Sequence, residues 1–341
     1  MSDVARLAGV GTMTVSRVLN RTARVSSETE ERVRDAIKKL HYRPNELARA
    51  FRGQRSRSIG LLVPYLFDPF FATCAHAASV VAREHGYSVI TATTDEDPET
   101  EYGEIEQMLQ RHVEGLLIIP AQTQSSRLTR TLFGRTPVVF FDRPGVDDSL
   151  DSVLVENTEG ARKMVEHLVG HGHRKISFMS MNRSLFTMEA RYQGYSEAMR
   201  QAGLVEDVSF NCATAEDAER EVASRIKAAA GEPVAFFTAN NLTTRSVFGA
   251  LVHLGVKIPA EAAIAAFDDS ELSELTSPPI SVVRQPSYRL GESAARLLFE
   301  RIGAEEEEHP ASHKVLPVEI VLRRSCGCKG RHAAQVPLKP R

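Results

Sequence analysis

Polar side chains that follow predicted strands form one group in the sequence that could do chemistry. Asp142, Asn240 and Asp268 lie at or just after the ends of apolar segments, and Arg191 lies at the start of a helical stretch. Carboxylates and amides exchange hydrogen bonds with hydroxyl groups, and a guanidinium can donate two bonds to adjacent oxygens. This set predicts a binding site for a small polar molecule. Alternatively, the two aspartates are helix caps or loop residues, and Arg191 belongs to a surface ion pair.

A second polar group lies on one face of a short helix near the N-terminus. The segment 12–19 places three apolar residues on one face and leaves Thr12, Met13, Ser16 and Arg17 on the other. Residues 1–58 contain 13 Lys and Arg against 6 Asp and Glu, a charge of +7, whereas the rest of the chain carries −9. A basic head with an exposed polar helix face is typical of DNA binding, although a solvated surface helix has the same pattern.

The composition is that of an ordinary folded protein. The chain has 341 residues, of which 42% are hydrophobic and 25% are charged. No apolar run approaches the roughly 18 residues of a membrane span, and we find no signal-peptide pattern at the N-terminus. The four cysteines are too few and too scattered for a disulfide framework. We therefore expect a cytoplasmic protein.

The sequence carries no signature of metal or cofactor chemistry. Cys326-Gly-Cys328 could bind a metal, but we expect a plain tail, because no second Cys or His pair stands out at ligand spacing. His171 and His173 flank Gly172 after a helical stretch and are expected to cap it and face solvent. There is also no P-loop, HExxH pair or Gly-x-Ser-x-Gly elbow. The expectation is a protein without a cofactor that is not an enzyme.

Three short helices are predicted for the head. The first covers residues 3–8, with Val4, Leu7 and Ala8 on one face; the second covers 12–19; and a capping box of Ser27 and Glu30 starts the third. Pro44 then breaks the pattern. The following helical stretch is shorter than the roughly 12–15 residues that a helix needs to persist alone in water, so it should need a partner to hold it.

From residue 59 onward, buried strands alternate with amphipathic helices. Eight strands are predicted, at residues 59–63, 88–91, 116–119, 138–141, 153–155, 176–179, 234–238 and 264–267. Helical stretches cover residues 157–169, 190–202 and 215–230. This alternation predicts parallel sheets built from right-handed βαβ units, arranged as two doubly wound α/β lobes. A ligand would then bind at the carboxyl ends of the strands.

A series of segments closely resembles the LacI/GalR family of bacterial regulators. In the head and hinge these are residues 3–10, 14–20, 42–45 and 47–49; in the core they are residues 58–63, 68–71, 115–118, 172–174, 191–195 and 267–269. The resemblance covers the chain from Asp3 to about Cys326. It implies a repressor-type transcription regulator with a helix-turn-helix headpiece, a hinge and a core like a periplasmic binding protein. It also implies a homodimer that binds a near-palindromic operator and responds to a sugar-like effector.

The resemblance assigns further roles to individual residues. Within a helix-turn-helix that enters the major groove, Thr12, Met13 and Arg17 face base edges. Arg17 is expected to be the strongest determinant, because it can donate two bonds to guanine O6 and N7. Contacts with phosphate are expected from Thr14, Ser16 and Asn20. The residues that match effector-binding positions of the family are Phe70, Phe71, Asp142, Thr187, Arg191, Asn240, Asp268 and Gln285.

The hinge and the first helix depart from the family pattern. The hinge residues expected to contact DNA are Asn45, Ala48 and Phe51, and Phe51 occupies the position of the leucine that relatives wedge into the central base step. Phenylalanine is also an accepted wedge. Gly11 stands where the family usually has Ser, which predicts a weaker headpiece. Few residues precede the first helix, as expected if the start codon has been assigned too late.

The expected organisation is a headpiece at residues 1–44, a hinge at 45–57, a core at 58–326 and a disordered tail at 327–341. Two other classes of function stay open for such a core. One is a sugar-transport binding protein, which the basic head and the missing export signal disfavour. The other is an enzyme, since a doubly wound fold alone excludes no chemistry.

Overall fold

The computed structural model describes residues 1–20, 25–42, 56–121, 127–304 and 310–328, without the side chains of Leu19 and Asn20. The chain divides into two compact units. The first ends at Ser56 and the second begins at Arg57.

The first unit contains three helices around a small apolar core. They are α1 (Ser2–Ala8), α2 (Thr12–Asn20) and α3 (Ser27–Lys39). The buried residues of this core are Val4, Ala5, Ala8, Val15, Val33 and Ala36. The predicted apolar face of α1 is therefore wrong at one position, because Leu7 is 53% exposed and Ala5 is buried in its place. Gly9 ends α1 as predicted.

The start of α3 differs by one residue from the prediction. Ser26, in an extended conformation, caps the helix by accepting a hydrogen bond from the backbone N–H of Thr29. Ser27 already lies within the helix, so the predicted capping box of Ser27 and Glu30 is wrong. Glu30 forms an ion pair with Arg34 one turn later instead. Both serines allow a cap by residue type, and the backbone conformation at Ser26 selects it.

The described part of the second unit contains two six-stranded sheets, which define two lobes. The first sheet has the strand order β11-β5-β4-β3-β1-β2 and is wholly parallel. Its strands are β1 (Ser58–Val63), β2 (Ser88–Thr93), β3 (Leu116–Ile118), β4 (Val138–Phe141), β5 (Asp151–Val155) and β11 (His313–Leu316). The helices of this lobe are α4 (Pro69–Glu84), α5 (Pro98–Gln110), α6 (Arg130–Phe133) and α12 (Ser287–Gly303).

The second sheet has the order β12-β10-β9-β8-β6-β7, and only β12 runs antiparallel to its neighbour. Its strands are β6 (Ile176–Met179), β7 (Asp207–Ser209), β8 (Val234–Thr238), β9 (Ala262–Phe267), β10 (Ser281–Arg284) and β12 (Glu319–Val321). The helices of this lobe are α7 (Asn157–Gly170), α8 (Phe186–Gln201), α9 (Ala215–Ala229), α10 (Asn241–His253) and α11 (Glu271–Leu275).

The chain crosses between the lobes three times. The crossings follow β5, β10 and β11, since α7, α12 and β12 belong to the other lobe. All eight predicted strands and the three predicted core helices are present, so the expected pair of doubly wound lobes is confirmed. Four strands were missed, namely β7, β10, β11 and β12. The strands β7, β11 and β12 are partly exposed edge strands, and β10 has only two apolar residues between Ser281 and Arg284, so none of the four shows the continuous apolar run that marked the others. No helix in the described ranges is long and apolar enough to cross a membrane.

Candidate functional site

The polar face of α2 is exposed in the first unit, as predicted. Val15 is fully buried, whereas Thr12, Met13 and Arg17 are exposed, with Met13 at 68%. Thr14 and Ser16 are half-buried at the edge of this face. The side chain of Asn20 and all of Asn45, Ala48 and Phe51 lie outside the described residues. The geometry therefore places three side chains that can face base edges on the exposed face of one helix.

The eight predicted effector-binding residues converge in the second unit. All of them line one cavity of about 30 Å³ between the lobes. The parallel sheets explain this convergence, because Asp142 follows β4, Asn240 follows β8, Asp268 follows β9 and Gln285 follows β10. The carboxyl ends of parallel strands meet at the same edge, where ligands bind in open α/β sheets.

Arg191 is one of the residues that the second lobe contributes to the lining of the cleft. It is 2% exposed, which excludes the surface ion pair that the sequence had left open. Its guanidinium donates to Asn157 Oδ1 at 2.8 Å and to the Ala239 carbonyl at 2.7 Å, and it lies 3.8 Å from Asp268 Oδ2. The guanidinium carbon is also 3.8 Å from the centre of the Phe267 ring. Burial lowers the pKa of Arg191, and the carboxylates of Asp268 and Asp142 oppose that shift.

The approach of two helices sets this position. Arg191 lies on α8 and its partner Asn157 is the first residue of α7. At Gly194, one turn after Arg191, a Cβ atom would lie 2.1 Å from the Thr158 carbonyl oxygen. Because a side chain at Gly194 would collide with the α7 backbone, glycine allows the contact that places Arg191 beside Asn157.

Asp268 accepts hydrogen bonds from two parts of the cleft and is not itself the N-cap residue of a helix. It has a φ of 78°, its Oδ2 accepts from the backbone N–H of Asn241 at 3.2 Å, and its Oδ1 accepts from Gln285 Nε2. The helix-cap role that the sequence suggested for the two aspartates belongs to Asn240 instead. Its side chain caps α10 by accepting from the N–H of Thr243 at 2.9 Å, and its amide nitrogen lies 3.4 Å from Met181 Sδ.

The first lobe contributes a charged group at Asp142. Arg143 makes a two-pronged ion pair with Glu96, at 2.5 and 2.7 Å, and its Nε lies 3.5 Å from Asp142 Oδ2. Burial raises the pKa of Asp142 to about 6, although Arg143 and Arg191 oppose the shift. Phe70 and Phe71 form an apolar wall with their rings 5.2 Å apart, edge to face. Asp142 itself has a left-handed φ of 65°.

Two acceptor atoms in the cleft have no partner among the described residues. Asp142 Oδ1 and Gln285 Oε1 are buried and accept no hydrogen bond. A buried polar atom without a partner costs about 1 to 3 kcal/mol. These two atoms therefore favour a ligand that donates hydrogen bonds to both lobes.

The cleft is closed. Its volume of about 30 Å³ is close to that of one or two water molecules, whereas ligand sites occupy roughly 300 to 1,000 Å³. A neighbouring cavity of about 720 Å³ shares Asp68, Phe70, Leu242, Asp268 and Gln285 with it. A ligand must therefore separate the lobes or use the connected larger cavity.

Sequence reasoning missed eight residues that line the cleft near the predicted ones. They are Tyr65, Asp68, Glu96, Arg143, Met181, Leu185, Met188 and Leu242. Two of them carried a usable signal, since Asp68 is an N-cap residue before Pro69 and Arg143 directly follows Asp142 at a strand end. For Glu96 no such signal exists, because only its contact with Arg143 reveals it.

Comparison with known proteins agrees with this architecture. Residues 1–45 match the bacterial regulatory proteins of the lacI family, and residues 165–326 match the periplasmic binding protein-like domain. The HTH-type transcriptional repressor PurR of Mannheimia succiniciproducens is 32% identical, over 95% of this chain and 98% of its own. The chain belongs to the lacI family. The PurR repressor of Haemophilus influenzae is 31% identical over the same shares of both chains.

Solved structures of lacI-family and similar proteins have the same fold. The transcriptional regulator CelR in complex with cellobiose has a TM-score of 0.69 and 28% identity, covering 95% of this chain and 98% of that one. The lac repressor dimer, bound to operator and the anti-inducer ONPF, has a TM-score of 0.81 and 24% identity with the same coverage. The family models and the PurR relatives show that the chain is a sequence-specific DNA-binding transcription regulator with a head and a core of the lacI-family type.

Proposed function

We propose that this lacI-family regulator is a repressor controlled by a neutral, hydroxyl-rich small molecule of the sugar class. The observation that carries the proposal is the pair of buried, unpaired acceptors, Asp142 Oδ1 and Gln285 Oε1, on opposite lobes. Sugar hydroxyls donate to such acceptors, and the Phe70 and Phe71 rings supply an apolar surface. CelR, whose structure contains cellobiose, supports a sugar as the effector class.

The charge of the cleft narrows the effector class further. Its lining contains four acidic side chains, those of Asp68, Glu96, Asp142 and Asp268, against the guanidiniums of Arg143 and Arg191. Both guanidiniums already donate to protein acceptors, although Nε of Arg143 has no hydrogen-bond partner among the described residues. An anionic ligand such as a sugar acid or phosphate would add negative charge to a buried site in which carboxyl groups already outnumber guanidiniums by four to two, which is costly. We infer that the effector is neutral.

Effector binding would act on DNA binding through the angle between the lobes. The cavity of about 30 Å³ is too small for a sugar, so an effector that binds between these residues selects a conformation with a different lobe angle. The lobes join the head through β1, which begins at Ser58. We propose a headpiece at residues 1–44, a hinge at 45–57 with Phe51 as the wedge, a core at 58–326 and a tail beyond it, in a cytoplasmic homodimer on a near-palindromic operator.

Operator binding in the presence of sugars tests this proposal. An operator selected from random DNA is labelled, and its anisotropy is followed while neutral mono- and disaccharides, and then sugar acids, are added. We expect one neutral sugar to change operator affinity at least about tenfold, a coupling of about 1.4 kcal/mol. Sugar acids of the same skeleton should have little effect.

Arg191→Ala and the exposed control Arg220→Ala separate the two sites. The first change should abolish the sugar response and leave operator affinity without sugar near normal, because DNA binds elsewhere. The control should keep both properties. A sugar response that persists in Arg191→Ala would contradict the cleft assignment. Turnover of the sugar by the wild type would instead favour an enzyme, and sugar binding without any operator binding would favour a transport protein.

A further inference from the structure

Four potential metal ligands meet at the C-terminal end of α7. His167 and His171 are four residues apart, which places both on one face of the helix. The segment after β12 brings Cys326 and Cys328 against this face. Cys326 is fully buried, His167 and Cys328 are half-buried, and His171 is exposed. The structure thereby joins a helical histidine pair to a cysteine pair more than 150 residues away.

The ligand atoms face each other at close range. Cys328 Sγ lies 3.3 Å from the Nε2 atoms of both His167 and His171. Cys326 Sγ lies 3.4 Å from His167 Nε2 and 3.2 Å from Cys328 Sγ. The ligand atoms of His167, His171 and Cys328 all lie within 4.8 Å of one another. The same ring nitrogen, Nε2, points inward on both histidines.

The close contacts in this cluster outnumber the hydrogen bonds that its two thiol protons can make. The Cys328 thiol has one proton, yet three potential acceptors lie within 3.3 Å of its sulfur. A neutral imidazole has one nitrogen lone pair, which can accept a proton or bind a metal. The cluster thus contains more acceptors than protons.

The distances fit a tetrahedral zinc ion after a small adjustment. Zinc binds sulfur at about 2.3 Å and imidazole nitrogen at about 2.0 to 2.1 Å, so tetrahedral angles place two sulfurs about 3.8 Å apart and a sulfur and a nitrogen about 3.6 Å apart. The observed separations are 3.2 Å for the sulfurs and 3.3 to 3.4 Å for sulfur and nitrogen. An ion bound by these atoms requires the sulfur pair and the three measured sulfur–nitrogen pairs to separate by only a few tenths of an ångström.

We propose that His167, His171, Cys326 and Cys328 bind one zinc ion in a structural Cys₂His₂ site. The ion fastens the C-terminal segment to α7, whose opposite end holds Arg191 through Asn157. The Ser281 hydroxyl donates to Cys326 Sγ at 3.0 Å and stabilises the thiolate that zinc requires. The site therefore links the end of the core to the helix that supports the effector cleft.

The structure corrects the expectation that Cys326-Gly-Cys328 is a plain tail with no histidine pair at ligand spacing. The spacing of His167 and His171 was a usable signal, since histidines four apart on a helix commonly share a metal. The cysteine spacing is shorter than the usual two to four intervening residues. Gly327 makes it possible, because its φ of 90° turns the chain so that both sulfurs face α7.

Cobalt binding to the untagged full-length chain tests the site. The reduced protein is stripped with a chelator and titrated with Co²⁺, which reports tetrahedral thiolate coordination through intense visible bands and a near-ultraviolet sulfur-to-cobalt band. We expect one Co²⁺ per chain, displaced by one Zn²⁺. His171→Ala and Cys328→Ser should each weaken binding by at least about tenfold. His253→Ala, an exposed histidine of the same lobe outside the cluster, should bind as the wild type does.

Three results would overturn the zinc site. The first is a reduced, folded wild type that shows no sulfur-to-cobalt band. The second is equal cobalt affinity in the wild type and in both ligand variants, with folding checked by circular dichroism. The third is a Cys326–Cys328 disulfide, seen by mass spectrometry as the loss of two hydrogens, in a protein that fails to bind cobalt after reduction. Because His171 is exposed, its replacement should leave the fold intact.

Discussion

Asn241 donates a hydrogen bond of 3.0 Å to Asp68 Oδ1 across the cleft, although 173 residues separate the two in sequence. Asn241 begins α10 in the second lobe, and Asp68 caps α4 in the first. The same Asp68 oxygen accepts from the backbone N–H of Phe70 at 3.0 Å. Burial, and next the nearby carboxylate of Asp268, raise the pKa of Asp68. This hydrogen bond therefore connects the N-terminus of α4 in the first lobe with the N-terminus of α10 in the second and stabilises the closed cleft.

Removing this contact should loosen the closed form. Asn241→Ala keeps the Asp268 bond to the backbone and the cap on α4, so only the bond between the lobes is lost. We expect a loss of about 1 to 2 kcal/mol of closure free energy, which corresponds to roughly a 5- to 30-fold shift towards open forms. Small-angle scattering of the effector-free protein and stopped-flow effector association report the shift. The exposed Asn211→Ala serves as control, and identical behaviour of the two variants would exclude a closing role for Asn241.

Effector affinity should depend on pH through Asp142. Burial raises the pKa of this carboxyl to about 6, and a sugar hydroxyl that donates to the carboxylate favours its charged form. Binding therefore releases a proton, and affinity should rise as the pH increases through about 6 and then level off. Calorimetric titration with the effector between about pH 5 and 8 measures this. Asp142→Asn should bind more weakly and show a flat profile, and the same slope in that variant would assign the titration to another group.

Arg17 should determine sequence preference on DNA. Its exposed position on α2 suits a two-bond contact with guanine, so Arg17→Ala should cost about 1 to 3 kcal/mol and relax discrimination at one base pair per half-site. Arg34→Ala removes the same charge from α3, where the side chain pairs with Glu30, and should lower affinity little. Binding of both variants to a panel of single-base operator changes is the measurement. An unchanged base preference in Arg17→Ala would remove Arg17 from base recognition.

The stability of the core should depend on pH through Glu101. This side chain of α5 is fully buried, accepts the N–H of Ala121 at 2.8 Å through Oε1, and leaves Oε2 without a partner. Burial raises its pKa to about 7, above the roughly 4.3 of an unfolded chain. The folded state thus holds a proton that the unfolded state has lost, so this contribution to the unfolding free energy is present at low pH and decreases as the pH rises from about 4 to 7.

Glu101→Gln should remove this dependence and stabilise the protein at pH 8 by about 1 to 3 kcal/mol, because a neutral amide replaces a buried charge. Urea unfolding of the wild type and the variant between about pH 5 and 8 measures the difference. Glu106→Gln, an exposed position on the same helix, should follow the wild type at every pH. A wild-type stability that rises with pH over this interval would contradict the assignment to Glu101.

The sequence alone predicted the features that depend on local periodicity. The continuous apolar runs identified eight buried strands, and the positions just after them identified Asp142, Asn240 and Asp268 as neighbours at one edge. Gln285 follows the missed strand β10 and was assigned to the site only by the family resemblance. This worked because a parallel sheet places every strand end at that edge, whatever the loop lengths. The three helices of the head and the exposed face of α2 followed from the helical period in the same way.

The tertiary structure decided everything that depends on contacts between distant segments. The closing bond between Asp68 and Asn241, the pairing of Glu96 with Arg143, and the meeting of His167 with Cys328 all join residues 47 to 173 positions apart. Local sequence patterns cannot predict such pairs, because nothing about either residue alone indicates which distant residue it will contact. The sequence also could not decide whether Arg191 is buried or belongs to a surface ion pair. The packing of α8 on α7 at Gly194 encloses Arg191, and this contact exists only in the tertiary structure.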